Sequence, residues 1–447
     1  MTMIDTVDLA CAGPPARLVD ARSGVVRRLE RRPVPAHFPA SFGLVAAALA
    51  DPAQFGVPAT DAWAAGCGFG EDQARVGAAL GEAAERYCAA LVPEAPPVAT
   101  WEELRATGIA AVDPDRLALF SAEQLARPGF PFRPISRTAP TAWAAGSDVP
   151  GGRPVHVPAS LAWATDRGVA GLPPTNPIVQ AGLAAHTTVD GAVRRALLEV
   201  VERDAMALGW HGRRGMLAVE PPPWLARLGT GPEGRLATRF VAFPNEVGVP
   251  VLGALVDDAG SGFCSFGTAA RLDPEPAAVR ALAEALQLQL VLAQFDDPDG
   301  PVAAAARRPG SALRPWRADR AYAASYREDL ADVVDYGCHL QLALDPGVRA
   351  RVGAEFDDAL AGHTRLDAVP ATTWPALLDA LAAAGLEPVA VDLTTADVAS
   401  AGLRVVRVVV PGCYSNAAAG LPYLGGERLA ACLRLAGRER RHLPLPH

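Results

Sequence analysis

GLAAHTTVDGAVRRALLEVVERD, residues 182–204, decides how the rest of the chain is read. Its second half is an apolar, helix-like run in which Glu199, Glu202 and Arg203 form an E-x-x-E-R string. The same string stands far upstream as Glu82, Glu85 and Arg86, inside VGAALGEAAERYC. On a helix, positions i, i+3 and i+4 share a face, so each string presents two carboxylates and a guanidinium together. The other positions near that face are Ala, Leu and Val. Paired acids on a largely apolar surface are costly unless a cation sits between them. A divalent metal with a polyphosphate meets that need, because Mg2+ takes carboxylate oxygens together with phosphate oxygens. Taken singly, either string reads as a surface ion pair, Glu82 with Arg86 or Glu199 with Arg203. The repetition argues for a shared site.

Composition bounds the alternatives. The 447 residues could hold two or three domains by length, although large single α/β units also reach this size. Half the residues are hydrophobic and 20% are charged, enough to bury a large core. A formal charge of -8 leaves no electrostatic footprint for nucleic acid or an anionic membrane. The basic clusters at 27–32 and 438–441 read as solvated faces. Arg, Asp, Glu or Gly interrupts each apolar run, so no membrane span is expected. The N-terminal MTMIDTVDLACAG lacks the positive start of a secretory signal. Seven cysteines are scattered with no C-x-x-C pair, which fits neither a disulfide frame nor a zinc site. The cytoplasm is the expected compartment.

Along the chain, residues 1–40 read as an arm or edge element and 41–49 as a short helix. Residues 64–70, AAGCGFG, read as a glycine-rich turn feeding a helix over 72–91; free N–H groups at such a start suit an anion. A small helix follows at 101–107. The Pro-Gly-Gly turn at 150–152 marks a hairpin, with 155–157 and 161–164 on its return side. The focal helix covers about 190–209, strands lie at 249–256 and 262–268, and a long helix at 274–295 carries Glu284 and Gln287 at i, i+3. Residues 300–320 read as loop. Two α/β units follow, 377–384 to 388–393 and 396–401 to 405–410, and a last helix at 427–436 precedes the tail HLPLPH.

In this order the pieces resemble the YcaO family, ATP-dependent enzymes that activate peptide backbone amides. The matching features are GEAAERY at 81–87, WAAGSD at 143–148, VPASL at 157–161, GLAA at 182–185, LLEVVERDA at 197–205, EALQ at 284–287 and VVVPG at 408–412. The resemblance implies the YcaO fold, of α/β (α+β) class, with mixed sheets flanked by helices and the nucleotide site between the acid-bearing helices. It implies ATP and Mg2+ as cofactors, with Glu82, Glu85, Glu199 and Glu202 holding the metal. Arg86 and Arg203 would bind phosphate or orient the acids, and Glu284 and Gln287 would complete the nucleotide site. Domain bounds follow as an N-terminal segment 1–60, a YcaO domain 61–435 and a Pro-rich tail 436–447 entering the site. Azoline-forming members tend to end in a Pro-x-Pro-x-Pro string, and Pro444, Pro446 and His447 stand here as its counterpart, with His442 in the first proline's place. The tail's carboxylate or a tail side chain would assist proton transfers. The expected function is an ATP-dependent cyclodehydratase of the thiopeptide kind, which makes thiazoline or oxazoline from Cys, Ser or Thr of a ribosomal precursor peptide.

The same resemblance implies a separate leader-peptide-binding partner, ThiF-like or RRE-containing, and a homodimer, with no nucleic acid or membrane partner. Four positions depart from the family's pattern. Cys67 stands where Gly-Lys-Gly is usual, Ala78 where a Ser is common, and Thr187 and Gly191 where Asn and Glu precede the second helix, with Asp190 adjacent. Two other functions therefore stand beside the first: a non-catalytic paralogue that binds peptide or a partner as a scaffold, and an enzyme forming amidine or thioamide. Cys67 and Cys88 read as buried structural thiols, and Trp210 and His211 as packing. His186 reads equally as a ligand contact or a packed histidine.

Overall fold

The three acid-bearing helices form where the pattern places them, at Asp72–Ala90, Val189–Trp210 and Pro274–Phe295. This is a computed structural model, and it describes residues 7, 9–51, 63–92, 96–164, 169, 171–179 and 181–447. The first helix buries Val76, Leu80, Ala83 and Ala84 at helical spacing and carries Asp72 in its first turn, which complements the dipole. The second is capped by Thr188, whose hydroxyl accepts the Gly191 N–H at 3.1 Å. The third opens on Pro274, where no helical N–H is forgone.

Three sheets support these helices. Val26–Arg32, Phe42–Leu49 and Trp63–Phe69 pair antiparallel in chain order. Two expectations fail here. FGLVAAAL at 42–49 is a strand and not a helix, because an unbroken apolar run carries no period that separates the two. The glycine-rich 64–70 is mostly strand and not a turn. Gly66 stands there because the first helix packs directly on the strand: a Cβ at that position would lie 2.0 Å from the Arg75 carbonyl oxygen.

A six-stranded sheet runs Val98–Ala99, Thr141–Asp148, Val389–Asp392, Arg404–Val409, Leu183–His186, with Pro154–Pro158 also paired to Thr141–Asp148. The expected hairpin is present, Trp143 opposite Pro158, but its return side ends in a helix at Ala159–Ala162 and does not extend to 161–164 as strand. A five-stranded sheet runs Phe263–Ala270, Val251–Asp258, Leu236–Ala242, Met216–Glu220, Leu360–Arg365, antiparallel except for the last pair. Within 300–320, read as loop, Pro301–Ala306 is helical.

The second acid helix shares one core with both larger sheets: Leu197 and Val201 pack in a cluster with Val406 and Val408 of one and Leu255 and Phe266 of the other. The third helix lies on the five-stranded sheet, with Ala281, Leu282 and Ala285 in a core with Leu252, Ala254 and Ala269. This helix is long and apolar enough to cross a membrane by length and composition, which the sequence reading did not allow. Its packed face is what a core helix shows, and a core helix meets the same test.

The chain then returns to the second helix. Gly437 ends the helix Glu427–Ala436 in the left-handed region, at φ 61°. Beyond it, Trp210 Nε1 donates to the Leu443 carbonyl at 2.8 Å, and Leu443 and Leu445 are buried. Arg441, expected on a solvated face, is instead buried, donating to the Trp210 carbonyl at 3.1 Å and to Asp358 at 2.8 Å.

Candidate active site

Each acid of the two E-x-x-E-R strings accepts a main-chain N–H from a strand or from the residue just before one. Ala65 N–H donates to Glu82 Oε2 at 3.0 Å and Ala185 N–H to Glu85 Oε1 at 2.6 Å. Gly182 N–H donates to Glu199 Oε2 at 3.0 Å and Ala270 N–H to Glu202 Oε2 at 2.9 Å. The donors for Glu85 and Glu199 flank and enter one strand, Leu183–His186, so the two helices present their acids to the same place.

Burial sets the charge there. Glu85 and Glu199 keep part of their surface open, but the surrounding protein strips most water from them. Burial pushes Glu85 up to about 8, with Glu82 and Glu199 adding repulsion against the Ala185 bond. Burial likewise pushes Glu199 up to about 7, opposed by Arg203 and the Gly182 bond. Glu202 goes the other way. Burial acts to raise it, but Arg203, the Thr268 hydroxyl at 2.7 Å and the Ala270 N–H outweigh that and hold it below the ordinary range. Asp204, next after Arg203, is committed elsewhere: Arg428 grips it at 2.6 and 2.7 Å and the Tyr414 N–H donates to it at 2.8 Å.

The arginines divide. Arg86 Nη2 lies 2.6 Å from Glu82 Oε1, the ion pair that spacing alone foretells. Arg203 lies 3.4 Å from Glu202 and 4.0 Å from Glu199, and its Nη1 meets Nε2 of His447. Arg has no acceptor, so His447 Nε2 must be unprotonated. The ring's other nitrogen lies 2.9 Å from the Phe266 carbonyl and donates to it, and burial with the Arg203 charge pushes the imidazole down to about 4. Pro446 fixes this end, its carbonyl accepting the Phe266 N–H at 2.7 Å. Pro444 lies further back, beside Leu445 on a cavity wall. His211, expected to pack, does so by bonding to the Arg441 carbonyl at 2.7 Å, and thus anchors the tail.

On the third helix, burial raises Glu284, which is paired with Arg280 at 3.0 Å and feels Glu202 and Arg203. Gln287, one turn on, makes no hydrogen bond to this group among the described residues. Arg280 reaches back to the Cys67 carbonyl at 3.0 Å and ties the third helix to the first sheet. Cys67 is an inert buried thiol, pushed by burial up to about 11, and Cys88 is raised by burial too.

Sequence reasoning missed four arginines here. Arg280 and Arg271 act on Glu284, Arg195 on Glu85, and Arg407 on both Glu85 and Glu199. Arg407 is fully buried and donates to the carbonyls of Ala181 at 2.7 Å and Val179 at 2.8 Å. Its signal was available: a lone Arg inside VVRVVV.

The departures at 186–191 are linked. His186 ends a strand, half-buried, and its ring fills the room a side chain at 191 would need; a Cβ on Gly191 would stand 2.0 Å from its Nδ1. His186 is thus a packed histidine whose ring would have to move to admit a side chain at 191.

A family model described as YcaO cyclodehydratase, ATP- and Mg2+-binding, matches residues 65–414. The chain belongs to the YcaO family. Its fold is similar to a heterocyclase solved in complex with substrate and cofactor (TM-score 0.71, 20% identity, 97% of this chain and 57% of that one). It is also similar to the heterocyclase TruD (TM-score 0.55, 21% identity, 81% and 48%). A third similar structure is the YcaO protein of Methanopyrus kandleri bound with AMPPCP and Mg2+ (TM-score 0.56, 24% identity, 87% and 86%). The chain thus spans about half of each of the two heterocyclases. No curated protein sequence matches it.

ATP and Mg2+ are this YcaO family's cofactors, and the residues fit them. The donor set is carboxylate oxygen, the hard ligand Mg2+ prefers, ringed by guanidinium groups suited to phosphate. Among the described residues no three acid, His or Cys side chains converge to chelate a metal unaided. That suits an ion which takes much of its shell from phosphate and water.

Proposed function

We propose that this YcaO protein is an ATP-dependent cyclodehydratase that converts Cys, Ser or Thr of a ribosomal precursor peptide to thiazoline or oxazoline. The observation that carries this reading is the convergence of the two acid helices and the tail: four carboxylates fixed by main-chain N–H groups, with Arg203 and an unprotonated His447 beside them. ATP bound with Mg2+ supplies the phosphoryl group that turns the peptide's amide oxygen into a leaving group. Glu82, Glu85, Glu199 and Glu202 would hold the metal, with Glu85 and Glu199 giving up the protons that burial makes them keep. Glu284 and Gln287 would flank the nucleotide. Arg203 would turn from His447 to a phosphate oxygen, where a fixed cation stabilises developing charge. That turn frees Nε2 of His447 to take the proton from the attacking thiol or hydroxyl. Pro444 and Pro446 act by stiffness, since a PPII-like tail loses little entropy in placing its end.

We place the catalytic unit at 61–435 with the tail 436–447 completing it, acting in the cytoplasm as a homodimer with a separate leader-peptide-binding protein. Calorimetric titration with ATP and Mg2+, beside Glu199→Ala, tests the reading. Micromolar binding abolished by the substitution is expected. A folded protein that binds no nucleotide would hand the function to the scaffold alternative. A tail, residues 444–447, that can be deleted without effect on ATP-dependent peptide modification would point to the amidine or thioamide chemistry.

A further inference from the structure

The tail that delivers His447 to Arg203 also walls a cavity, together with the end of the second acid helix and the loop at 414–424. Trp210, Tyr336, Tyr414, Tyr423 and Pro444 line it, and its free interior is about 70 Å3. His447 belongs both to this wall and to the Arg203 contact, so the cavity opens beside the acids. Tyr414, Ser415 and Tyr423 also line a second cavity that reaches Ala181 and Arg407, behind Glu199.

Its charge is one-sided. Among the described residues no acidic side chain lines it, and Arg440 is the one permanent cation there. The three histidines in the wall do not add to that charge. Burial pushes His211 and His447 down to about 4 and His339 to about 3, and His339 Nε2 accepts the Ala419 N–H at 3.0 Å. Arg440 is half-buried and has no hydrogen bond or ion pair among the described residues. Burial and the like charge of Arg127 both act against its cation. In a chain of net charge -8, a half-buried Arg left without an acid is a group waiting for one.

We infer that this cavity binds the precursor peptide next to its reacting residue, taking an aromatic side chain against the tyrosines and an adjacent acidic side chain on Arg440. The inference rests on the cyclodehydratase reading for what the peptide is, and on the cavity for its chemistry. Aromatic faces supply sequence-tolerant contact area, and a carboxylate on the guanidinium supplies direction.

Met206 lines the cavity, whereas Met216 is buried in the five-stranded sheet, so methyl NMR of labelled methionine separates binding from a general response. The probes are the capped dipeptides acetyl-Asp-Phe-amide and acetyl-Phe-Asp-amide, against the same pair with Lys for Asp. The acidic probes should move the Met206 methyl saturably and leave Met216 still. Arg440→Glu should reverse the preference so that the Lys probes bind better, with an unchanged Met216 signal showing the fold intact. No shift at Met206, or a preference that Arg440→Glu does not alter, overturns the inference. Titrating the same samples with ATP and Mg2+ keeps the two readings apart. Nucleotide binding without peptide preference sinks only the cavity assignment. Peptide preference without nucleotide binding removes the reaction and leaves the cavity as a peptide site.

Discussion

The two E-x-x-E-R helices have the same five-residue spacing and different electrostatics. In the first, Glu82 and Arg86 are about a third exposed and satisfy each other along one helix face. In the second, Glu202 is 6% exposed and Arg203 13%, and both are drawn to what packs opposite: Thr268, Ala270 and the tail's His447. Spacing decides which side chains share a face, but the facing strand decides which charge each one keeps. One helix therefore offers a loosely held pair and the other a cation already committed to the site.

Removing one acid from each helix tests this contrast most strongly. Glu202→Leu leaves Arg203 buried without its main counter-charge and should cost about 3–5 kcal/mol in urea unfolding. Glu82→Leu should cost no more than about 1 kcal/mol. Equal losses would mean the two strings are interchangeable. The next effect is in pH. Glu85 and Glu199, raised from 4.5 to about 8 and about 7, hold protons in the fold that the unfolded chain has already released. Their contribution therefore favours the fold at low pH and is lost as pH rises from about 4.5 through 7 and 8. Thermal unfolding of the nucleotide-free protein across pH 5–8 should show that decline, flattened in Glu85→Gln/Glu199→Gln, while affinity for ATP with Mg2+ climbs over the same interval. A slope unchanged by the double substitution would place the titrating groups elsewhere. A smaller split is expected between Arg203→Lys and Arg86→Lys: the first should lower turnover, because Lys cannot reproduce the planar fork, and the second should barely change it. His447→Gln should keep nucleotide affinity and lower only the rate of heterocycle formation, measured on a precursor peptide.

How much of this was legible follows the same line. The acid helices, the helix at 274–295 and the last helix were readable because local periodicity and caps write them into consecutive residues. The strands at 26–32, 42–49, 216–220, 236–242 and 360–365 were not, since pairing with distant partners makes them and an alanine-rich run such as FGLVAAAL gives no period. The glycine-rich 64–70 looked like a turn, but it pairs as a strand in which Gly66 stands because the helix above leaves no room for a side chain there. In the site, the four acids were visible from spacing. Arg195, Arg271 and Arg280 were not, because their roles depend on charges brought together by the fold, whereas Arg407 stood out as a lone Arg in an apolar run and was passed over.

His186 and Gly191 carry a consequence for how such a site can change. A larger residue at 191 would drive its Cβ into the imidazole unless the ring turned away, while shrinking His186 would remove the ring's contacts with Thr188 at the helix cap. The two positions are therefore coupled: a side chain at 191 is admitted only once the His186 ring moves aside.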